Sequence, residues 1–134
     1  MKTLAIDCRM SRMSGIGVYL RNLAPRCMAL LQKDVRFRLL GHSEAFSVPN
    51  GCLWESIHFN SSIYSLTEQA RILPLLRGCD ALWTPHYPLP LLTRIPQAVT
   101  VHDIAHLALE DLFTKTQRLY ARCMFQAVRR KAAE

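Results

Sequence analysis

The chain lacks a C-x-x-C pair, a long apolar run and any internal repeat. Its five cysteines, Cys8, Cys27, Cys52, Cys79 and Cys123, are odd in number and far apart. That spacing fits neither a disulfide framework nor a zinc site built on cysteine pairs, and it points to a reducing cytoplasm. No apolar stretch nears the ~20 residues that span a bilayer. Asp7 interrupts the opening Leu4-Ala5-Ile6 too early for a signal-peptide core. Any membrane contact is therefore expected at the surface. With only 5 glycines and 7 prolines, spread along the chain, collagen-like and disordered readings are excluded. There is no aromatic-rich basic strand motif of the kind that binds single-stranded nucleic acid, so nucleic acid is not an expected partner.

What is present is an ordinary globular composition of 134 residues, 50% hydrophobic and 20% charged. A chain of this size fits one domain and removes roughly two-thirds of its unfolded surface from water. Lysine and arginine number 17 against 10 acidic residues, a net charge of +7 that attracts anions. The excess is uneven, with Lys115, Arg118, Arg122, Arg129, Arg130 and Lys131 crowded near the C-terminus.

Periodicity predicts alternating strands and helices. Residues 2–6 read as a buried parallel strand closed by Asp7, because a strand covered on both faces carries hydrophobics throughout. After a polar loop, Ser14 is the predicted helix cap, and Ile16, Tyr19, Leu20, Leu23, Cys27, Leu30 and Leu31 recur at helical spacing. Pro25 should kink or split that helix near Arg21. Further strands are predicted at 35–40, 53–59, 81–84 and 97–101. A helix is expected at 65–76, with Ser65 as cap and Glu68 at the capping-box position. The last helix starts at Thr114, with Leu119, Tyr120, Cys123, Met124, Ala127 and Val128 opposite a basic face. The stretch "PHYPLPLLTRIP" is too poor in N–H donors to pair in a sheet. This order predicts an α/β fold, a Rossmann-like open, mainly parallel sheet with helices on both faces.

In such sheets ligands sit beyond the carboxyl ends of the strands. The candidates are thus the segment from Asp7 to Gly17, then Pro85-His86-Tyr87, and then His102-Asp103. Gly15 and Gly17 suggest a phosphate cradle, but a dinucleotide fingerprint needs a third glycine where Leu20 stands. What remains is either backbone that approaches an anion at a helix start or a plain turn into a helix. His102 is either a cleft group that binds substrate or steadies transition-state charge, with Asp103 orienting it, or a hydrogen-bonded loop histidine. His102, Asp103 and His106 invite a metal reading, but such a histidine pair belongs on one helix and His102 closes a predicted strand, so no metal is expected. The Arg129-Arg130-Lys131 run is a solvated helix face or a contact to anionic lipid, each basic residue then contributing about 1 kcal/mol.

The segments "AIDCRM", "SGIGVYLRNL", "DALWTPHYPLPL", "AVTVHDIAHL" and "RLYARCMFQAVRRKA" together resemble the N-terminal half of GT-B glycosyltransferases of the family 4, group 1 type. The resemblance covers residue 3 to the end and implies one domain over 1–134, the acceptor side of a two-domain enzyme. It implies that His102 lies near the transferred sugar and that Asp103 is its motif neighbour. Ser14, Gly15 and Gly17 would lie near the donor diphosphate and acceptor, and His86 and Tyr87 would line the acceptor side. Such enzymes retain anomeric configuration, require no bound metal or cofactor, and use a nucleotide sugar as donor. Val18 departs from the usual arginine and Pro25 interrupts the following helix. The nucleotide-sugar domain with its paired glutamates is absent from these 134 residues, so the fragment alone is expected to be inactive.

Two readings follow. In the first, the chain is the acceptor-binding domain of a transferase that passes a sugar, for example mannosyl, to a glycan or lipid-linked acceptor during polysaccharide or glycolipid synthesis. It would be cytoplasmic and peripheral to the inner face of the membrane. In the second, it is a non-catalytic interaction module that binds an anionic membrane surface or a protein partner, with open sheet edges favouring self-association.

Overall fold

The computed structural model describes residues 1–61, 65–104 and 112–131. Five strands, β1 (Lys2–Asp7), β2 (Val35–Leu40), β3 (Trp54–Ile57), β4 (Ala81–Thr84) and β5 (Gln97–Val99), pair in parallel in the order β3-β2-β1-β4-β5. Ile6 stands opposite Leu39 on one side and Trp83 on the other. This is the expected α/β, Rossmann-like arrangement, and its strand order reverses between β1 and β4.

Successive side chains of a strand point to opposite faces, which explains why these strands are apolar throughout. Ile6, Leu39 and Trp83 join Leu20, Ala24 and Met28 of helix α1 (Ile16–Leu31) in one core. Ala5, Leu40 and Leu82 join Phe59, Ile72, Leu76 and Cys79 in a second core on the other face. The second core is covered by α2 (Leu66–Arg71) and the 3-10 turn Leu73–Leu76. Helix α3 (Lys115–Lys131) starts from a reciprocal cap in which Thr114 Oγ1 accepts from the Gln117 N–H and Gln117 Oε1 accepts from the Thr114 N–H.

Several local expectations change: β3 is shorter than the predicted 53–59, and the helix predicted over 65–76 ends at Arg71, before Pro74, and gives way to the 3-10 turn. The cap of α1 is Gly15, at φ 59° and ψ −92°, and Ser14 makes no cap hydrogen bond. Only glycine tolerates that geometry without strain. Pro25 does not split α1, because the fully buried Leu20, Ala24 and Met28 flank it and hold both halves on the sheet. β5 ends at Val99, two residues early. Its neighbour β4 ends at Thr84, and Pro85 has no N–H to extend the ladder, so only the Thr100 N–H reaches back, to the Thr84 carbonyl at 3.0 Å. In α3 the buried residues are Ala121 and Met124, while Leu119 is 64% exposed and Cys123 is exposed. The apolar seam is rotated toward the loop after β4, where Phe125 stacks on Tyr87. Ser65 does cap α2, accepting from the Glu68 N–H at 3.2 Å. Among the described residues no helix is long and apolar enough to cross a membrane.

Pro25 removes a helix hydrogen bond to Arg21 that the fold does not otherwise need. Pro25→Ala should stabilise the chain by about 1–2 kcal/mol. A urea-unfolding midpoint that rises at constant slope checks this, and an unchanged or lower midpoint counts against it.

Candidate functional site

Open α/β sheets bind ligands beyond the carboxyl ends of their strands where the strand order reverses; here that place lies between β1 and β4 and is the candidate crevice. At its floor lies a buried charge cluster. Asp7 closes β1, and the chain turns so that Arg9 folds back on it. Arg9 donates to Asp7 through its backbone N–H at 3.1 Å, Nε at 2.9 Å and Nη2 at 2.5 Å. Nη2 also meets Glu68 Oε1 at 2.5 Å, and the guanidinium lies 4.7 Å from the Phe59 ring centre. All three charged side chains are nearly inaccessible. Burial alone would raise the Asp7 carboxyl, but the hydrogen bonds and charge of Arg9 outweigh it and hold the group below its ordinary value. Gly41, at φ 103° just after β2, makes room for Arg9, since a Cβ there would lie 2.8 Å from Arg9 Cγ.

His86, just beyond β4, is 2% exposed, and neither ring nitrogen has a hydrogen-bond partner among the described residues. Burial lowers its pKa to about 4; Asp7 opposes this, while Arg9 and His102 reinforce it. At neutral pH the ring is uncharged, with one donor and one acceptor unspent. Leaving such groups unpaired costs about 1–3 kcal/mol each.

His102 is exposed on the loop after β5. Its Nε2 lies 2.8 Å from the Pro85 carbonyl, which can only accept, so Nε2 carries a proton. The Tyr19 ring of α1 meets it edge-on, with centres 4.8 Å apart and planes at 86°. Tyr19 is held in turn by Thr100 Oγ1 at 3.1 Å, which also receives the Trp83 Nε1–H at 3.3 Å. Three elements thus converge on one imidazole: α1, β4 and the segment after β5.

The glycine turn divides into two roles. A Cβ on Gly17 would lie 2.8 Å from both the Met10 and Ser11 carbonyl oxygens, so this glycine lets α1 press on its own approach loop. The loop is further tied by Arg21 Nη1 donating to the Ser11 carbonyl and by Ser11 Oγ donating to the His42 carbonyl at 2.6 Å. Gly15 and Ser14 are exposed, and a Cβ on Gly15 would meet nothing within 4 Å. Gly15 therefore faces open space at the head of a helix whose first turn carries no acidic residue.

The proline-rich connection from β4 to β5 forms one wall of the crevice. Its carbonyls are taken by side chains: Pro85 by His102, Leu89 by Gln69 at 3.1 Å, Pro90 by Gln97 at 3.2 Å, and Leu91 by Lys131. Gln69 Oε1 also accepts the Leu91 N–H at 2.7 Å, so one amide spans both edges of the loop. Tyr87 is buried and stacks on Phe125 of α3 at 4.7 Å, which turns it toward that helix.

The structure therefore gathers His86 and His102 around the Pro85 peptide and adds Asp7, Arg9, Tyr19, Trp83 and Thr100, whose roles the sequence did not single out. Ser14 and Gly15 lie exposed at the start of α1, Gly17 is committed to internal packing, and Asp103 is exposed beside His102. Among the described residues no three His, Cys, Asp or Glu side chains converge as a metal site, and His106 lies outside the described residues. No protein family, curated protein or solved structure matches the chain.

The low pKa of His86 has a definite sign in stability. The folded state binds fewer protons than the unfolded one between the ordinary value of 6.5 and about 4. Its contribution is complete above 6.5 and is lost as pH falls through 4, an effect on the order of 3 kcal/mol. Unfolding free energy should fall across that window in the native chain and fall less in His86→Leu; parallel profiles would count against a neutral buried imidazole. Gly17→Ala should destabilise by about 1–3 kcal/mol, because the new methyl meets backbone that cannot give way. Chemical denaturation reads this directly, and a neutral effect would remove the close approach.

Proposed function

We propose that the chain is the acceptor-side domain of a retaining glycosyltransferase of the GT-B, family 4 type. It would serve transfer of a sugar, for example mannosyl, from a nucleotide sugar to a glycan or lipid-linked acceptor. The observation that carries the reading is the convergence of His102 and His86 on the Pro85 peptide at the strand-order reversal. Sugar hydroxyls are neutral groups that both donate and accept. An exposed imidazole with one ring nitrogen unspent suits such ligands better than a fully ionic pocket would. The Arg9 guanidinium is already engaged by Asp7 and Glu68, so the floor supports the site without competing for the ligand. In this reading His102 contacts the transferred sugar, and His86, with the exposed turn at Ser14 and Gly15, borders the acceptor.

A glycan array probed with the wild-type chain and with His102→Ala tests this. Glycan binding should weaken about tenfold or more in the variant, equivalent to at least ~1.4 kcal/mol. Stability should fall by no more than about 1 kcal/mol, the hydrogen bond lost to Pro85, so that weaker glycan binding is not unfolding. Equal retention by both proteins would remove His102 from the site. Retention only by vesicles containing acidic lipid, with no glycan bound, would move the assignment to the interaction-module reading.

A further inference from the structure

We propose that Tyr19 is a positioning residue for His102, fixing the imidazole so that Nδ1 faces the crevice as an acceptor for a hydroxyl-bearing ligand. The assignment of a hydroxyl ligand rests on the sugar-transfer reading above; the positioning of the ring does not.

The argument begins with hydrogen-bond capacity. A carbonyl cannot donate, so the Pro85 oxygen, 2.8 Å from Nε2, commits that nitrogen to carrying the proton. In the neutral ring Nδ1 is then the acceptor, and it has no hydrogen bond among the described residues. One hydrogen bond leaves the ring free to rotate about the Nε2–carbonyl direction. The second constraint comes from Tyr19, whose ring meets the imidazole at 86° with a centre distance of 4.8 Å. Tyr19 also packs edge-on to Trp83, with centres 6.3 Å apart.

Tyr19 is itself anchored at its far end. The Trp83 indole N–H can only donate, so Thr100 Oγ1 accepts from it at 3.3 Å and keeps a second link to the Tyr19 hydroxyl at 3.1 Å. The chain of contacts runs from β4 through the segment after β5 to the first turn of α1 and ends on His102. Tyr19 is thus tied to β4 through Trp83 and to the segment that carries His102 through Thr100, so the ring packs against a side chain anchored at its far end. A fixed acceptor nitrogen selects ligands that donate, such as a sugar hydroxyl, and offers nothing to a fully ionised phosphate oxygen.

Long-range proton–nitrogen correlation of the imidazole rings in the 15N-labelled chain at mildly alkaline pH tests the proposal. Each histidine is assigned by its own substitution. His102 should show a single tautomer with the proton on Nε2. Tyr19→Leu should keep that tautomer, because Pro85 sets it, but ring 15N relaxation should show a more mobile imidazole, with Tyr19→Phe and Thr100→Val shifting it part of the way. A wild-type proton on Nδ1, or unchanged ring relaxation of His102 in Tyr19→Leu, overturns the proposal. If Tyr19→Leu does not fold, unchanged signals in both milder variants overturn it. Titration with a neutral hexose glycoside should move the Nδ1 signal, and inorganic phosphate should not. The reverse pattern, with the tautomer as expected, sinks the sugar reading and leaves the positioning intact. Equal glycoside affinity of wild type and Tyr19→Leu sinks the positioning and leaves the sugar reading intact.

Discussion

The crevice end of the sheet depends on one buried cation. Arg9 satisfies two carboxylates that could not otherwise remain ionised in the interior, and it brings together parts of the chain that are far apart in sequence. Asp7 is two residues away and Glu68 is fifty-nine. The guanidinium also reaches the Ser61 carbonyl at 3.4 Å. An ion pair of this kind is not worth its Coulomb energy, because desolvation offsets much of it. Its force is conditional: with Arg9 removed, both carboxylates become uncompensated charges in the core, at about 3–5 kcal/mol. That fixes how α2 sits against the end of β1 and therefore where the crevice opens.

The second constraint is the shortage of backbone partners in the β4–β5 connection. A parallel crossover normally carries a helix, whose carbonyls bond internally. Here residues 85–96 contain four prolines, and the carbonyls turn to side chains of Gln69, Gln97, His102 and Lys131. His102 therefore holds the wall through Nε2, which is the structural alternative drawn from the sequence.

The parts legible in the sequence are those governed by local pattern. β2 and β4 fall where apolar continuity and flanking turn residues place them, and the parallel sheet follows from alternation of strand and helix. Boundaries failed where a neighbour decided them, as at β5, whose ladder stops because β4 runs into Pro85. The cap of α1 moved from Ser14 to Gly15 because backbone approach, not side-chain chemistry, sets that end. The Asp7, Arg9 and Glu68 cluster is hidden for a different reason: Glu68 fits a cap position, and nothing local connects it to position 9. Tyr19 and Thr100 read as an apolar helix position and a strand residue, since their shared contact spans eighty-one positions. One signal was available in Gly41, a glycine just past a strand, which marks where another segment passes closely overhead.

The pinned proline loop also bears on the thermodynamics of recognition. Proline limits the conformations open to the unfolded connection, and side-chain bonds fix those that remain before any ligand arrives. Ordering a flexible wall on binding costs about 0.5–1.5 kcal/mol for each side chain immobilised. In this chain that entropy is lost during folding, so the connection is already ordered by its side-chain bonds before anything could bind beside it.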